Sequence, residues 1–299
     1  MINEKNIDVI INAGGYSTGD FWLKIHGERR FNKRLERYKK FKKKGKKLIF
    51  LPQAFDTFDS PYMKRFLQEF YEVSDLIIAR DKISYDNVTK NLKDKSKIEL
   101  FPDFTNLLEV KSSDTLKNTV TIIPNYKIVQ TKVVTEKYYL KFLYDIVLVS
   151  KKMGYEVNLL NHEGELDLIL INKLSKKLNF NHNIITNKNP LKVKKEIGNS
   201  KLVITGRFHG LVSALSQSIP CFTTSWSHKY KELLNDYDSL DSIIDIKDYN
   251  SSLDKIKEIL TDSSTYRNKK RELDLKSAIQ KDKSKEMWGK VINVLNNNA

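Results

Sequence analysis

Along most of the chain, short apolar runs alternate with longer stretches of helical period. That alternation predicts a parallel α/β sheet of Rossmann type. In the first third, strands are expected at Asp8–Asn12, Leu48–Pro52, Leu76–Ala79 and Ile98–Phe101. Helices are expected between them, from Phe21 to about Lys44, at Pro61–Val73 and at Ser84–Asn91. Residues Glu109–Asn118 are polar and lack a period, which predicts a linker. The pattern then starts again. Strands are expected at Val120–Ile123, Glu156–Leu160, Asn183–Ile185, Lys201–Thr205, Pro220–Thr223 and Ser242–Ile246. Helices are expected at Thr135–Met153, Glu165–Leu178, Leu191–Ile197, Leu211–Gln217, Lys229–Asn235 and Ser252–Leu260. From Ser263 to about Leu295 the chain is highly charged with sparse apolar positions, and one or two amphipathic helices are expected there. The fold class is therefore α/β: two Rossmann-like domains, 1–110 and 119–262, and a helical tail, 263–299, that packs back on the first domain with Trp288 as an anchor.

Composition narrows the function classes. The 299 residues include 53 Lys+Arg against 37 Asp+Glu, a formal charge of +16, which points towards anionic partners. The densest basic run is Arg29 to Lys47, with Phe31, Leu35, Tyr38 and Phe41 at near-helical spacing. It reads either as a solvated helix face or as a cationic face for anionic lipid headgroups or a pyrophosphate-linked acceptor. No base-reading motif accompanies it, so no nucleic-acid partner is expected. Cys221, the single cysteine, sits in an expected strand and is read as a core residue, so no disulfide framework is expected and the cysteine usage fits a reducing cytoplasm. No apolar stretch approaches the roughly 20 residues of a membrane helix. The expected location is cytoplasmic, peripheral at the inner face of the membrane at most. No His/Asp/Glu set has metal-ligand spacing such as H-E-x-x-H, so no metal is expected.

The chemistry concentrates between Val203 and Lys229. Two expected strand ends there deliver Arg207, His209, His228 and Lys229 to one sheet edge, the edge where ligands bind in open α/β sheets. Arginine offers a fork for carboxylate or phosphate, and histidine moves protons near neutral pH. A structural carboxylate partner for Arg207 is the competing reading. His162 ends another expected strand, with Asp167 five residues on. In the first domain, Gly14-Gly15-Tyr16-Ser17-Thr18-Gly19-Asp20 joins a strand to a helix. Its glycines allow close backbone approach to a ligand, and Asp20 reads as an N-cap or as a holder of an acceptor hydroxyl.

These segments resemble, in order, the motifs of the polysaccharide pyruvyl transferase family. The matching elements are AGGYSTGD (Ala13–Asp20), LPQAF (Leu51–Phe55), ARDKIS (Ala79–Ser84), FPD (Phe101–Asp103), NHEGELD (Asn161–Asp167), and Arg207-x-His209 with Ser218-Ile219-Pro220 and Lys229-Tyr230. The resemblance covers roughly residues 7 to 246. It implies two Rossmann-like halves facing a cleft, the GT-B-like architecture. Members of the family usually begin with a further strand-loop-helix unit bearing an Asn-x-Gly-Asp motif. Here the strand Ile7–Asn12 follows Met1 almost at once, so the first domain is read as lacking that unit.

The resemblance further implies transfer of pyruvate from phosphoenolpyruvate to a sugar of a surface polysaccharide or its lipid-linked precursor, as a ketal, with no cofactor. The donor carries a carboxylate and a phosphate, for which Arg207 and Lys229 are the expected cations, with His228, Gly14 and Gly15 as further binding residues. Its methylene carbon needs a proton, from His209 first and His162 second. The sugar hydroxyls need a base, His162 or Asp20. Two other readings stand beside this one. A GT-B glycosyltransferase using a nucleotide sugar would often carry a Glu in the helix after the strand, and GLVSALSQSIP (Gly210–Pro220) contains no acid. A shortened, non-catalytic member would still bind, without turnover.

Overall fold

The computed structural model describes residues 7–110, 118–224 and 227–296. Most of the expected linker (111–117) and Trp226 lie outside the described residues. The chain divides into two compact units. One holds the residues up to Phe104 together with those from Asp282 onward; the other runs from Thr105 to Lys281.

The first unit has four parallel strands: β1 (Val9–Asn12), β2 (Lys47–Gln53), β3 (Leu76–Ala79) and β4 (Ile98–Leu100), hydrogen-bonded in that order. The connecting helices are α1 (Asp20–Lys42), α2 (Pro61–Val73) and α3 (Lys82–Thr89). Helix α2 follows from its sequence. Ser60 caps it by accepting from Met63 N at 3.2 Å, and Pro61 occupies the first turn, where its missing N–H has no helical partner to lose. Met63, Phe66, Leu67, Phe70 and Tyr71 then recur at helical spacing and are all buried. They meet Phe31, Leu35, Tyr38 and Phe41 of α1 and Phe50 of β2, with Phe50 and Phe70 ring centroids 4.5 Å apart. Helix α1 was expected as one continuous element. It breaks at Gly27, whose φ of 70° and ψ of 162° are not helical.

The second unit has five parallel strands: β5 (Thr119–Ile123), β6 (Glu156–Asn161), β7 (Asn183–Thr186), β8 (Leu202–Thr205) and β9 (Cys221–Thr223). Their order is β7-β6-β5-β8-β9. The helices are α4 (Lys127–Gln130), α5 (Glu136–Lys152), α6 (Gly164–Ser175), α7 (Pro190–Gly198), α8 (Phe208–Leu215), α9 (His228–Asp236) and α10 (Tyr249–Thr261). Successive strand residues face opposite ways, so Ile122 joins an apolar cluster with α5, α6 and α10, while Ile123 joins another with α7, α8 and α9. The expected strand Ser242–Ile246 does not form. Leu240–Ser242 is a 3-10 turn, and pairing is limited to one bridge between Thr223 and Ile243. The turn bond from Ser242 N to Ser239 O uses a donor that a ladder to β9 would need, and the pairing stops at Ile244 N, which donates to Thr223 O at 3.0 Å.

The tail is one helix, α11 (Ser263–Asn296). Its residues from Asp282 on belong to the first unit, where Met287 and Val291 pack with Ile49, Leu51, Leu76 and Ile78, and Trp288 lies partly buried beside them. Lys47 Nζ donates to the carbonyls of Val294 (2.7 Å) and Leu295 (2.9 Å), which places a cation on the last turn.

Candidate active site

The second sheet places its chemistry by topology. From β5 the chain winds outward through β6 to β7, then returns to the other side of β5 to form β8 and β9. The strand order reverses between β5 and β8, and a crevice opens at the carboxyl ends of two strands whose connections leave in opposite directions. Asn125 and Tyr126 follow β5, Gly206 and Arg207 follow β8, and His162 and Glu163 follow β6. Buried Asn125 joins the segments that follow β5 and β8. Its Nδ2 donates to Gly206 O at 2.5 Å, and Tyr230 OH donates to the same carbonyl at 2.8 Å. A Cβ on Gly206 would stand 2.7 Å from Asn125 Cβ, so this close approach requires glycine.

Arg207 is the N-cap residue of α8 without capping it by its side chain. Its backbone N donates to Thr205 Oγ1 at 2.9 Å, and its carbonyl accepts from Leu211 N at 3.0 Å. That local turn starts the helix at Phe208, three residues before the expected Leu211, and puts His209 in the first turn. The guanidinium reaches past β5 to α6. Nε donates to Asp167 Oδ2 at 2.7 Å and Nη2 to Asp167 Oδ1 at 2.8 Å, a bidentate pair with a fully buried carboxylate. Asp167 Oδ1 also accepts from Tyr126 N at 2.9 Å, so one carboxylate ties β5, α6 and β8 together. Nη1 of Arg207 donates to Glu163 Oε2 at 2.6 Å, and Nη2 also reaches the carbonyl of Glu163 at 3.3 Å. The Glu163 side chain is 70% exposed. Burial works against the charge on Arg207, but Asp167 and Glu163 outweigh it and raise the guanidinium's pKa. The expected free fork is therefore spent: its bidentate edge serves Asp167, and only the Nη1 edge faces a partner that solvent can replace.

The two histidines differ in setting. His209 is exposed on the first turn of α8. His162 is half-buried, and burial first, then the neighbouring His209 and Arg207, lower its pKa to about 4 against the opposing pull of Glu163. That shift favours the neutral imidazole at neutral pH, a form suited to accepting a proton. On the far side of β8, His228 and Lys229 open α9. Lys229 Nζ sits 5.2 Å from the Phe208 ring centroid and 5.6 Å from that of Tyr230, so cation–π contacts hold it beside α8. Arg207, His162 and His209 thus share the β5/β8 edge, with Lys229 against the residue that follows Arg207.

The remaining sequence candidates belong to the first unit. Asp20 is the first residue of α1, not its cap; the N-cap is Gly19. The Asp20 carboxylate accepts from Thr57 Oγ1 (3.1 Å), Asp59 N (2.6 Å), and Ser60 Oγ (2.5 Å) and N (3.3 Å). Burial alone would raise its pKa, but these bonds from Ser60, Asp59 and Thr57 win and lower it. A carboxylate so engaged suits holding a loop better than abstracting a proton. Gly14 N donates to Asn12 Oδ1 at 2.8 Å, and a Cβ on Gly14 would stand 2.8 Å from that same oxygen. A Cβ on Gly15 would meet nothing within 4 Å. Gly19, at φ 128°, would put a Cβ 2.4 Å from that of Asp56.

Sequence reading did not single out Asn125 or Glu163, and it gave Asp167 no defined role. Asn125 had a signal in Ile123-Pro124-Asn125, a polar residue directly after a buried strand. Cys221 is buried, which pushes its thiol up to about 12 and removes it from nucleophilic chemistry. Among the described residues, no group of three or more His, Cys, Asp or Glu side chains could hold a metal ion, and no helix is long and apolar enough to cross a membrane.

The family model for polysaccharide pyruvyl transferase matches residues 2–228. No curated protein matches the chain. Trehalose-6-phosphate synthase OtsA is similar in structure at a TM-score of 0.57 and 11% identity, over 99% of this chain and 73% of that one. The UDP-GlcNAc 2-epimerase of Methanocaldococcus jannaschii is similar at 0.54 and 14% identity, over 86% of this chain and 71% of that one. S. aureus TarM, in a complex that includes UDP, is similar at 0.50 and 12% identity, over 84% of this chain and 55% of TarM, so this chain spans about half of TarM's length. At such identities the likeness gives the fold class, the GT-B type built from Rossmann-like α/β units.

Proposed function

Since the chain belongs to the polysaccharide pyruvyl transferase family, we propose that it transfers pyruvate from phosphoenolpyruvate to a saccharide of a surface polysaccharide or its lipid-linked precursor, forming a ketal. The observation that carries this reading is Arg207, fixed on buried Asp167 at the β5/β8 reversal, with exposed His209 two residues on. A proton from His209 goes to the donor's methylene carbon, which becomes the methyl group, and C2 becomes electrophilic. One sugar hydroxyl adds to C2 and loses its proton. The C2–O bond to phosphate then breaks, and the second hydroxyl adds to C2, its proton passing to the departing phosphate, to close the ketal.

Asp167 is a positioning residue in this scheme, because it spends the bidentate edge of Arg207 and so aims Nη1. The donor anion takes the Nη1 position that the exposed Glu163 carboxylate holds in the free protein. Lys229 supplies the second cation. Neutral His162 accepts a hydroxyl proton or a hydrogen bond, and Asp20 holds its loop. Acid–base groups of this kind typically contribute roughly 10²–10⁴-fold each. A second reading, a glycosyltransferase using a nucleotide sugar, draws on the fold shared with TarM. Helix α8, FHGLVSAL, contains no acid to clasp a ribose diol. Phosphate release from phosphoenolpyruvate, with and without a panel of lipid-linked oligosaccharides, separates the two. The proposal expects acceptor-dependent release; turnover of a UDP-sugar without such release would replace it.

A further inference from the structure

The apolar side of α1 is already spoken for. Phe31, Leu35, Tyr38 and Phe41 are buried in the first unit's own core. The amphipathic stretch therefore cannot lay that side on a bilayer, and what remains outward must act by charge or through other residues. On a helical wheel at 100° per residue, Arg29, Lys33, Arg37 and Lys40 fall within an arc of about 80° roughly opposite the buried side. All four are exposed, as is Arg30 at the edge of the arc. Glu36 is the acid within this face, and it pairs with Lys39 at 3.2 Å. Glu28 lies to one side of it.

The short segment before the break at Gly27 adds what the cationic face lacks. Trp22 and Leu23 turn inward against the core, and Trp22 is held edge-on by Tyr16 (5.3 Å) and stacked on His26 (5.4 Å). Phe21 and Ile25, four residues apart on the same side of this turn, are left 48% and 53% exposed. Phe21 N donates to Asp56 Oδ2 at 2.6 Å, which anchors the turn to the loop after β2. Exposed Lys24 stands between the two apolar side chains in sequence, and Arg29 follows Ile25 by four residues. One exposed apolar pair, followed in sequence after the Gly27 break by a run of exposed cations, matches the chemistry of an anionic lipid surface: acyl chains for the pair, phosphates for the cations.

We infer that α1 is a membrane-docking element, in which Phe21 and Ile25 insert between lipids while Arg29, Arg30, Lys33, Arg37 and Lys40 hold anionic headgroups. For the proposed reaction this would bring the protein to a lipid-linked acceptor; its purpose rests on that reading, but the binding itself does not. The test uses the full chain and vesicles, with no donor or acceptor present, so its outcome is independent of pyruvyl transfer. Co-sedimentation is measured with phosphatidylcholine vesicles and with vesicles rich in phosphatidylglycerol, at low and high salt.

The wild type should bind the anionic vesicles and not the neutral ones. Joint replacement Arg29→Gln, Lys33→Gln, Arg37→Gln and Lys40→Gln should weaken low-salt binding by roughly 10²–10³-fold. Phe21→Ser with Ile25→Ser should weaken it by about tenfold and abolish what survives at high salt. These side chains are exposed, and an unchanged thermal unfolding curve checks that each variant is folded. Wild type that stays in the supernatant with anionic vesicles would overturn the inference. So would a four-fold Gln variant that binds like wild type. Equal affinity for duplex RNA, indifferent to Phe21→Ser and Ile25→Ser, would make the helix a general polyanion surface and overturn it as well.

Discussion

The two units use the same strand–helix alternation and end with different capacities. In the first, strands β1 to β4 lie in chain order, and among the described residues the order never reverses. In the second, the order β7-β6-β5-β8-β9 reverses at β5/β8, and Arg207, His209 and His162 stand at that edge. The family-like motifs divide the same way. In the first unit they serve as internal wiring. Gln53 Nε2 donates to Asn12 Oδ1 at 3.0 Å, Arg80 pairs with Asp103 at 3.3 Å with both side chains buried, and Asp81 caps α3 by accepting from Ser84 N at 2.7 Å. In the second unit they place exposed groups, His209 and Glu163, around one buried ion pair. A motif is thus no guide to chemistry until its side chains are known to face inward or outward.

The largest expected effect tests that ion pair. Asp167→Ala leaves the buried edge of Arg207 and the Tyr126 amide without their acceptor, and should destabilise the second unit by about 3–5 kcal/mol. An unfolding midpoint in urea near wild type would show that the pair does not organise the edge. Next comes Gly19→Ala in the first unit. At φ 128° and with a Cβ 2.4 Å from that of Asp56, it should cost about 1–3 kcal/mol of stability. Its affinity for phosphoenolpyruvate, by calorimetry, should stay unchanged if the donor site lies in the second unit, and a large loss of affinity would blur the contrast.

Much of this contrast was legible in the chain. The buried strands β2, β3, β5, β6 and β8 announced themselves as short apolar runs, and α2 by its spacing. Arg207 and His209 stood out because they follow such a run directly. The partners of Arg207 did not, because Glu163 and Asp167 lie 44 and 40 residues away and meet it only through the order β6-β5-β8. The spent fork and the neutral state of His162 are likewise products of burial, which periodicity does not report. The failed strand at Ser242–Ile246 had apolar residues, but the turn bond from Ser242 N to Ser239 O took a ladder donor at its start. Gly27 carried its own warning as a glycine inside a helical pattern.

Two further effects sharpen the description of the edge. Glu163→Gln removes a carboxylate that competes for Arg207 Nη1, and should tighten phosphoenolpyruvate binding about threefold, as expected for an exposed ion pair. Weaker binding instead would give Glu163 a positive role in holding the donor. The other effect concerns acid stability. The folded-state pKa of His162, about 4, lies below its ordinary value of 6.5. Between those values the unfolded chain binds more protons than the folded one, so stability falls as pH falls through that window. His162→Gln should flatten this slope in urea unfolding measured across it, and an unchanged slope would place the titration elsewhere.

The central claim is that the edge of the second sheet performs the proton transfer, with binding and chemistry on separate residues. His209→Asn tests it most directly, by donor affinity and turnover measured on the same sample. The account predicts phosphoenolpyruvate affinity within about tenfold of wild type, roughly 1.4 kcal/mol, and acceptor-dependent phosphate release slower by about 10² or more. Turnover near wild type would contradict it.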